Sequence, residues 1–381
     1  MKADARSRRA VAALLALAGH AASAALAAGC APVRGDAYLA AFASGERAFH
    51  AGRFPEAAAA WDDAAGRALR VKDRDEARFL EARAQGRAGL WAEERRTYDR
   101  LVADSPEGPR TVRARFDLAQ LDIDHGDAAR GWAALEQLAR RYPAHGLSRP
   151  TLRRLLQHAE DAGGDAAALL WLDTRGVAFR GTDLDEVIAY ERARTLLRLG
   201  REQEAHDAFL ATAREHPYPS GGLTDDAYWH AAGIAEALGR YDEAVAHLRE
   251  LLSSREPSGA WGSYERPRYS EAQLKIALIY RDDLKNHAAA RRELEKVYAL
   301  HPTTIKRDDA VWAEARLALE DGDQDTTCKL ARRLLTEFPE SRYTPCAHEV
   351  CPAAAPGRRA CADYILRELR GVKGEDPPGG R

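Results

Sequence analysis

The sequence predicts an all-α fold, an α-solenoid built from repeated helix-turn-helix units, and three observations carry that prediction. The phrase Gly239-Arg240-Tyr241-Asp242-Glu243-Ala244 recurs as Gly52-Arg53-Phe54-Pro55-Glu56-Ala57, and weaker copies begin at Gly89, Gly126, Gly200 and Gly322. The copies stand roughly 37 residues apart, a period in the range of helical-repeat stacks. In five copies a proline follows the turn position by 17 residues, at Pro106, Pro143, Pro217, Pro302 and Pro339. Proline cannot continue a helix, so each one ends the second helix of its unit at a fixed length. Each unit therefore reads as a helix, a glycine turn, and a second helix whose small residue lets the two approach closely.

Taken in order, the first unit pairs a helix over 37–51 with one over 55–69. Pro55 sits at the start of the second helix, where its missing N–H costs nothing. Gly45, seven residues before Gly52, marks a close approach to the partner helix, and Trp61 and Ala64 continue the pattern. The second unit keeps Gly89, Trp91, Tyr98, Leu101 and Pro106, and the third keeps Gly126, Gly131, Leu135, Leu138 and Pro143. The fourth, around Gly163-Gly164-Asp165, is distorted and marks a bend. The fifth has Gly200, Ala205, Phe209 and Pro217, and the sixth Gly239, Tyr241, Ala244, Leu248 and Leu251. An insertion over 253–270 follows, rich in Ser, Gly and Pro yet carrying Trp261, Tyr264 and Tyr269. The seventh unit puts Lys285 where the others have the turn glycine, while Ala290, Leu294, Val297 and Pro302 hold the frame. Gly322, Thr327, Leu334 and Pro339 make the eighth. The repeat region thus runs over 37–345, a cysteine-rich loop and last helix over 346–370, and a Pro- and Gly-rich tail over 371–381 reads as disordered. In the last helix Ala362, Ile365, Leu366 and Leu369 share one apolar face. That face would cover the open end of the stack.

The composition supports helix throughout, being rich in Ala, Leu, Arg and Glu. Lys and Arg number 57 against 59 Asp and Glu, so no charge excess points to nucleic acid. The chain opens on Lys2, Arg6, Arg8 and Arg9, then a mostly Ala and Leu run to Ala28, the pattern of a targeting segment over 1–29. Cysteines number five. One is Cys30, and the other four, Cys328, Cys346, Cys351 and Cys361, fall within the C-terminal region. An even set in an exported chain suggests two disulfides, with three connectivities open.

Gly45, Gly52, Phe54, Ala57, Trp61 and Ala64 together resemble the tetratricopeptide repeat, in spacing as well as residue type. That resemblance implies a right-handed superhelical stack whose first helices line a concave surface that binds proteins. Ala27-Ala28-Gly29-Cys30 resembles a lipobox, which implies cleavage before Cys30 and its lipidation, with 30–36 as a tether. The whole is similar to repeat-containing outer-membrane lipoproteins, such as the lipoprotein subunit of the barrel-assembly machinery and repeat proteins that coordinate envelope division. Asp226-Ala227-Tyr228-Trp229 and Asp309-Ala310-Val311-Trp312 carry this likeness. It implies an outer-membrane, lipid-anchored, periplasm-facing scaffold for other cell-envelope proteins, whether in outer-membrane assembly, secretion, a pilus or motility.

A column of aromatics stands ten residues before the turn position: Phe42, Phe79, Phe116, Tyr190, Trp229 and Trp312. One reading is a ladder of contacts for an extended peptide. The other is core, the commoner fate of large apolar side chains at helical spacing. Glu46, Arg83, Arg87, Arg198 and Arg316 lie on the same helices, where arginines suit carboxylates. Trp261, Tyr264 and Tyr269 form a second candidate contact patch.

No catalytic constellation accompanies these. His-x-x-x-His, His-Glu-x-x-His, a Gly-rich phosphate loop and a Gly-x-Ser-x-Gly elbow are all absent from the sequence. A zinc reading of Cys346, His348, Cys351 and Cys361 yields to disulfides in an exported chain, so no cofactor or metal is expected and the chain reads as non-enzymatic. Two rivals remain: a helical domain related to lytic transglycosylases, and a groove for peptidoglycan or polysaccharide. The first is disfavoured because only 40 residues follow Ser341.

Overall fold

Glycine turns and helix-breaking prolines divide the chain into helices that pack on their chain neighbours within each of two units. The computed structural model describes residues 34–253, 267–354 and 359–370. Expectations for the leader, Cys30, Trp261, Tyr264 and the tail lie outside the described residues. Among the described residues the secondary structure is helical and contains no strand. No helix among them is long and apolar enough to cross a membrane.

The chain forms two compact units, Met1–His158 and Ala159–Arg381. The first contains α1 (Asp36–His50), α2 (Phe54–Arg67), α3 (Val71–Arg87), α4 (Trp91–Asp104), α5 (Thr111–His125) and α6 (Ala128–Arg141), each packed on the next. Next in the chain comes α7 (Ser148–Thr174), broken at Gly163 and Gly164, where Gly164 has φ 68°. The distorted fourth repeat is thus two helical arms joined by two glycines. The second unit continues with α8 (Asp185–Arg198), α9 (Glu202–Glu215), α10 (Thr224–Ala237), α11 (Tyr241–Ser253), α12 (Pro267–Asp282), α13 (His287–Leu300), α14 (Arg307–Glu320) and α15 (Gln324–Glu337). These also pack in chain order.

The turn position explains the repeated glycine. Gly52, Gly89, Gly200, Gly239 and Gly322 all have φ between 72° and 75°, a left-handed conformation that costs an L-residue with a Cβ but not glycine. Lys285 takes the same place at φ 51°. Gly126 differs: its φ is −146°, and the turn there is closed by Asp127, whose carboxylate accepts from the Arg130 N–H. Five residues after the turn, Ala57, Ala205, Ala244, Ala290 and Thr327 have no exposed surface. That is the close contact the small residue permits. At Gly45 a Cβ would come 2.5 Å from Trp61 Nε1, so the indole occupies the space a side chain would fill.

The C-terminal end closes with chemistry as well as packing. Cys328 joins Cys351 and Cys346 joins Cys361, which selects one of the three connectivities. Between them run a single turn at Thr344–Cys346 and the short α16 (Ala347–Val350); α17 (Asp363–Leu369) ends the described chain and is shorter than the helix over 358–370 suggested by the sequence. Ile365 is fully buried against Val311, Trp312, Leu330 and Leu334, with Ala362, Leu366 and Leu369 packed around it. The apolar face read from the sequence therefore covers the last repeat.

Candidate functional site

Helices α1 to α5 of the N-terminal unit, first and second helices alike, line two neighbouring clefts. One, of about 190 Å³, is bordered by Glu46, Phe49, His50, Trp61, Leu80 and Arg83. The next, of about 390 Å³, runs from Arg83 and Arg87 past Trp91, Glu94 and Tyr98 to Arg113, Asp117 and Asp124. Arg83 belongs to both, so the clefts follow one another along this face.

Charge in this groove is unevenly matched. The Arg113 Nε–H is shared between the two Asp117 carboxylate oxygens at 2.9 and 3.1 Å, and the Tyr98 hydroxyl donates to the same carboxylate at 3.2 Å. Arg83 and Arg87 are exposed and rest over the Phe79 and Phe54 rings, at 6.0 and 5.1 Å. Neither has an ion pair among the described residues. Arg83 pulls on the Asp117 carboxyl without a close ion pair, and two exposed guanidinium forks beside the apolar edges of Phe49, Leu80 and Trp91 suit a segment carrying both acidic and apolar groups.

Glu94 is the irregular member. It stands five residues after Gly89, the place where other repeats bury a small residue. The second repeat makes room on the opposite helix: a Cβ at Gly86 would lie 2.7 Å from either Glu94 carboxylate oxygen. Burial, with Asp117 nearby as a second cause, pushes the Glu94 carboxyl up to about 7. Burial also raises Asp117, against the pull of Arg113. Behind the groove Glu81 is likewise pushed up to about 7, by burial first and Asp62 second. It accepts from Thr97 and Gln85 at 3.2 and 3.0 Å. The sequence signal for Glu94 was available, a charged residue in a column of alanines, but its solution at Gly86 was not.

The aromatic column separates into two groups. Phe79, Tyr190 and Trp312 are 4%, 8% and 3% exposed, and that corrects their candidacy as partner contacts: side chains so enclosed offer no surface. Phe79 packs on Tyr98, Tyr190 on Phe209, and Trp312 stacks on Tyr343 at 5.1 Å. Tyr269 is corrected in the same way, being buried with Leu248, Leu251 and Ile276. Phe42, Phe116 and Trp229 keep part of their surface. Phe42 leans on Tyr38 and Trp61, Phe116 carries Arg113, and Trp229 lies under Arg268 and Lys275 at 4.9 and 5.7 Å. The arginines further along are engaged: Arg198 pairs with Glu160 and Asp165, and Arg316 with Glu368. His348 lies beside Glu349, and the three cysteines near it are in disulfides.

Two segments, 225–257 and 271–304, match models of the tetratricopeptide repeat. They correspond to the sixth and seventh units and identify the chain as one that carries such repeats. No curated protein sequence matches. Among solved structures, the C-terminal part of a repeat-containing protein from Cytophaga hutchinsonii is similar at 12% identity and a TM-score of 0.40, covering 71% of this chain and 98% of that one. PilF of Pseudomonas aeruginosa is similar at 14% identity and 0.35, covering 60% and 93%. A tetratricopeptide repeat protein from Parabacteroides merdae is similar at 13% and 0.31, covering 78% and 98%. At these values the likenesses carry no functional argument.

Proposed function

We propose that the chain is a non-catalytic adaptor that binds a segment of another cell-envelope protein along α1 to α5, while a lipid on Cys30 holds it to the outer membrane facing the periplasm. Proteins built from these repeats act as protein-binding scaffolds, and the observation that carries the finer reading is the groove itself. Its two successive clefts combine unpaired Arg83 and Arg87 with apolar edges, the chemistry of an extended segment bearing carboxylates and apolar side chains. The partly buried Phe42 and Phe116 stand on the same helices, outside the two clefts. Trp229 offers a separate contact in the second unit.

The anchor rests on the sequence of Cys30 and its leader. More than one acyl chain gives stable residence, whereas a single chain holds weakly. A Cys30→Ser variant is expected to leave the membrane fraction, and its retention there would sink the anchor.

Crosslinking in living cells, followed by identification of the captured proteins, tests the groove. The double variant Arg83→Ala, Arg87→Ala is expected to lose a partner that the parent captures, while folding cooperatively with only the small loss in thermal melt that follows from removing two exposed ring contacts. Capture of the same proteins in the same amounts would refute the groove reading. Muralytic activity in the purified chain would overturn the non-catalytic part.

A further inference from the structure

We propose that the second unit holds a zinc ion between its fifth and sixth repeats, bound by His206, Glu243 and His247. His206 lies on α9, and Glu243 and His247 lie one helical turn apart on α11, so all three come from second helices of successive repeats. Their donor atoms converge. His206 Nε2 is 3.1 Å from His247 Nε2; Glu243 Oε1 is 3.4 Å from the former and 3.5 Å from the latter.

Those separations are what zinc requires. Nitrogen and carboxylate ligands stand about 2.0–2.2 Å from the ion in a tetrahedral arrangement, which puts any two of them about 3.3–3.5 Å apart. The centre of the observed triangle lies about 1.9 Å from each corner by simple geometry, so an ion just off its plane meets all three at bonding distance. Two imidazoles with one carboxylate select a transition metal, since calcium and magnesium take oxygen ligands.

The surroundings are arranged for the same purpose. His206 Nδ1 faces Asp207 Oδ1 at 3.1 Å, and Gln203 donates to that oxygen at 2.9 Å. A carboxylate on the far nitrogen assigns the proton there and leaves Nε2 as the metal-binding atom. Glu243 turns its other oxygen to Arg240 at 3.3 Å. His206 is buried, whereas the Glu243 side chain is 36% exposed, and a three-ligand site leaves a fourth position for water. The His206 and His247 positions are 41 residues apart, which is why no short histidine motif marks them in the sequence.

The test uses the whole chain with any purification tag removed, stripped with EDTA and then exposed to zinc, calcium or magnesium. One zinc per chain is expected to survive gel filtration, and neither of the other ions. Cobalt in its place should give the intense visible bands of a four-coordinate ion. Glu243→Gln and His247→Gln should each abolish retention, and Asp207→Asn should weaken zinc about 10- to 100-fold. Zinc should raise the melting temperature of the parent by several degrees and leave that of His247→Gln unchanged, by the mass action of binding to the folded state. Because Glu243 is partly exposed, its variant should melt with the metal-free parent and remains informative if His247→Gln fails to fold. A parent that retains no zinc, or a Glu243→Gln variant that retains as much as the parent, would overturn the site.

Discussion

The second and sixth repeats carry the same left-handed glycine turn, yet they solve their closest helix contact in opposite ways. In the sixth, Ala244 is fully buried five residues after Gly239, and the contact is a methyl group against its neighbours. In the second, Glu94 occupies that position, and the facing helix gives up its Cβ at Gly86 to admit the carboxylate. One repeat is closed and apolar, while the other opens onto a groove with a carboxyl whose charge is poised near neutrality. The repeat phrase therefore sets where two helices meet without fixing what lies between them.

Placing a carboxylate in the sixth repeat breaks this comparison most severely. Ala244→Glu has no glycine opposite to receive it and should cost about 3–5 kcal/mol above neutral pH, the range for an uncompensated buried charge. The urea midpoint at pH 8 measures it; a loss below 1 kcal/mol would show that the sixth repeat also has room. Ala244→Leu should cost less, about 1–3 kcal/mol, through overpacking alone and with little pH dependence. An unchanged thermal melt would argue against the close contact.

Glu94→Gln sharpens the comparison from the other side. The Glu94 carboxyl is raised in the folded chain, so its protonated form supports folding below the ordinary carboxylate range. That support is lost as pH rises through about 7. Glutamine keeps the neutral shape, so the variant should match the parent at pH 4 and exceed it by about 1–2 kcal/mol at pH 8. Equal stability at both values would place the carboxylate in water.

The smallest effect concerns the turn. Lys285→Gly should stabilise by up to about 1 kcal/mol, because the left-handed conformation is strained for lysine and the entropy cost of glycine offsets part of the relief. A loss of stability in that variant would mean that the Lys285 side chain contributes more than its backbone costs.

Much of this molecule was legible before any coordinates. The turn glycines gave the helix boundaries to within a residue or two, and the apolar spacing of Ala362, Ile365, Leu366 and Leu369 gave the terminal cover. The bend at Gly163-Gly164 was legible from a pair of glycines where the phrase failed. The aromatic column was legible as a column but not as a surface, since Phe79 and Phe116 occupy equivalent positions and only one is buried. Exposure at such a place depends on neighbours from the adjoining repeat, which differ from copy to copy.

What the sequence by itself determined is the part encoded by local periodicity. Helix, turn and helix recur because backbone preferences and amphipathic spacing act over a few residues. Tertiary structure alone decided the pairing of Cys328 with Cys351 and Cys346 with Cys361, the accommodation of Glu94 by Gly86, and the meeting of His206 with Glu243 and His247. Each depends on side chains brought together through packing between helices, where distances of a few tenths of an ångström separate a contact, a bond and a clash. A one-dimensional pattern fixes which helices become neighbours, and the atoms that face each other follow only from how those helices settle.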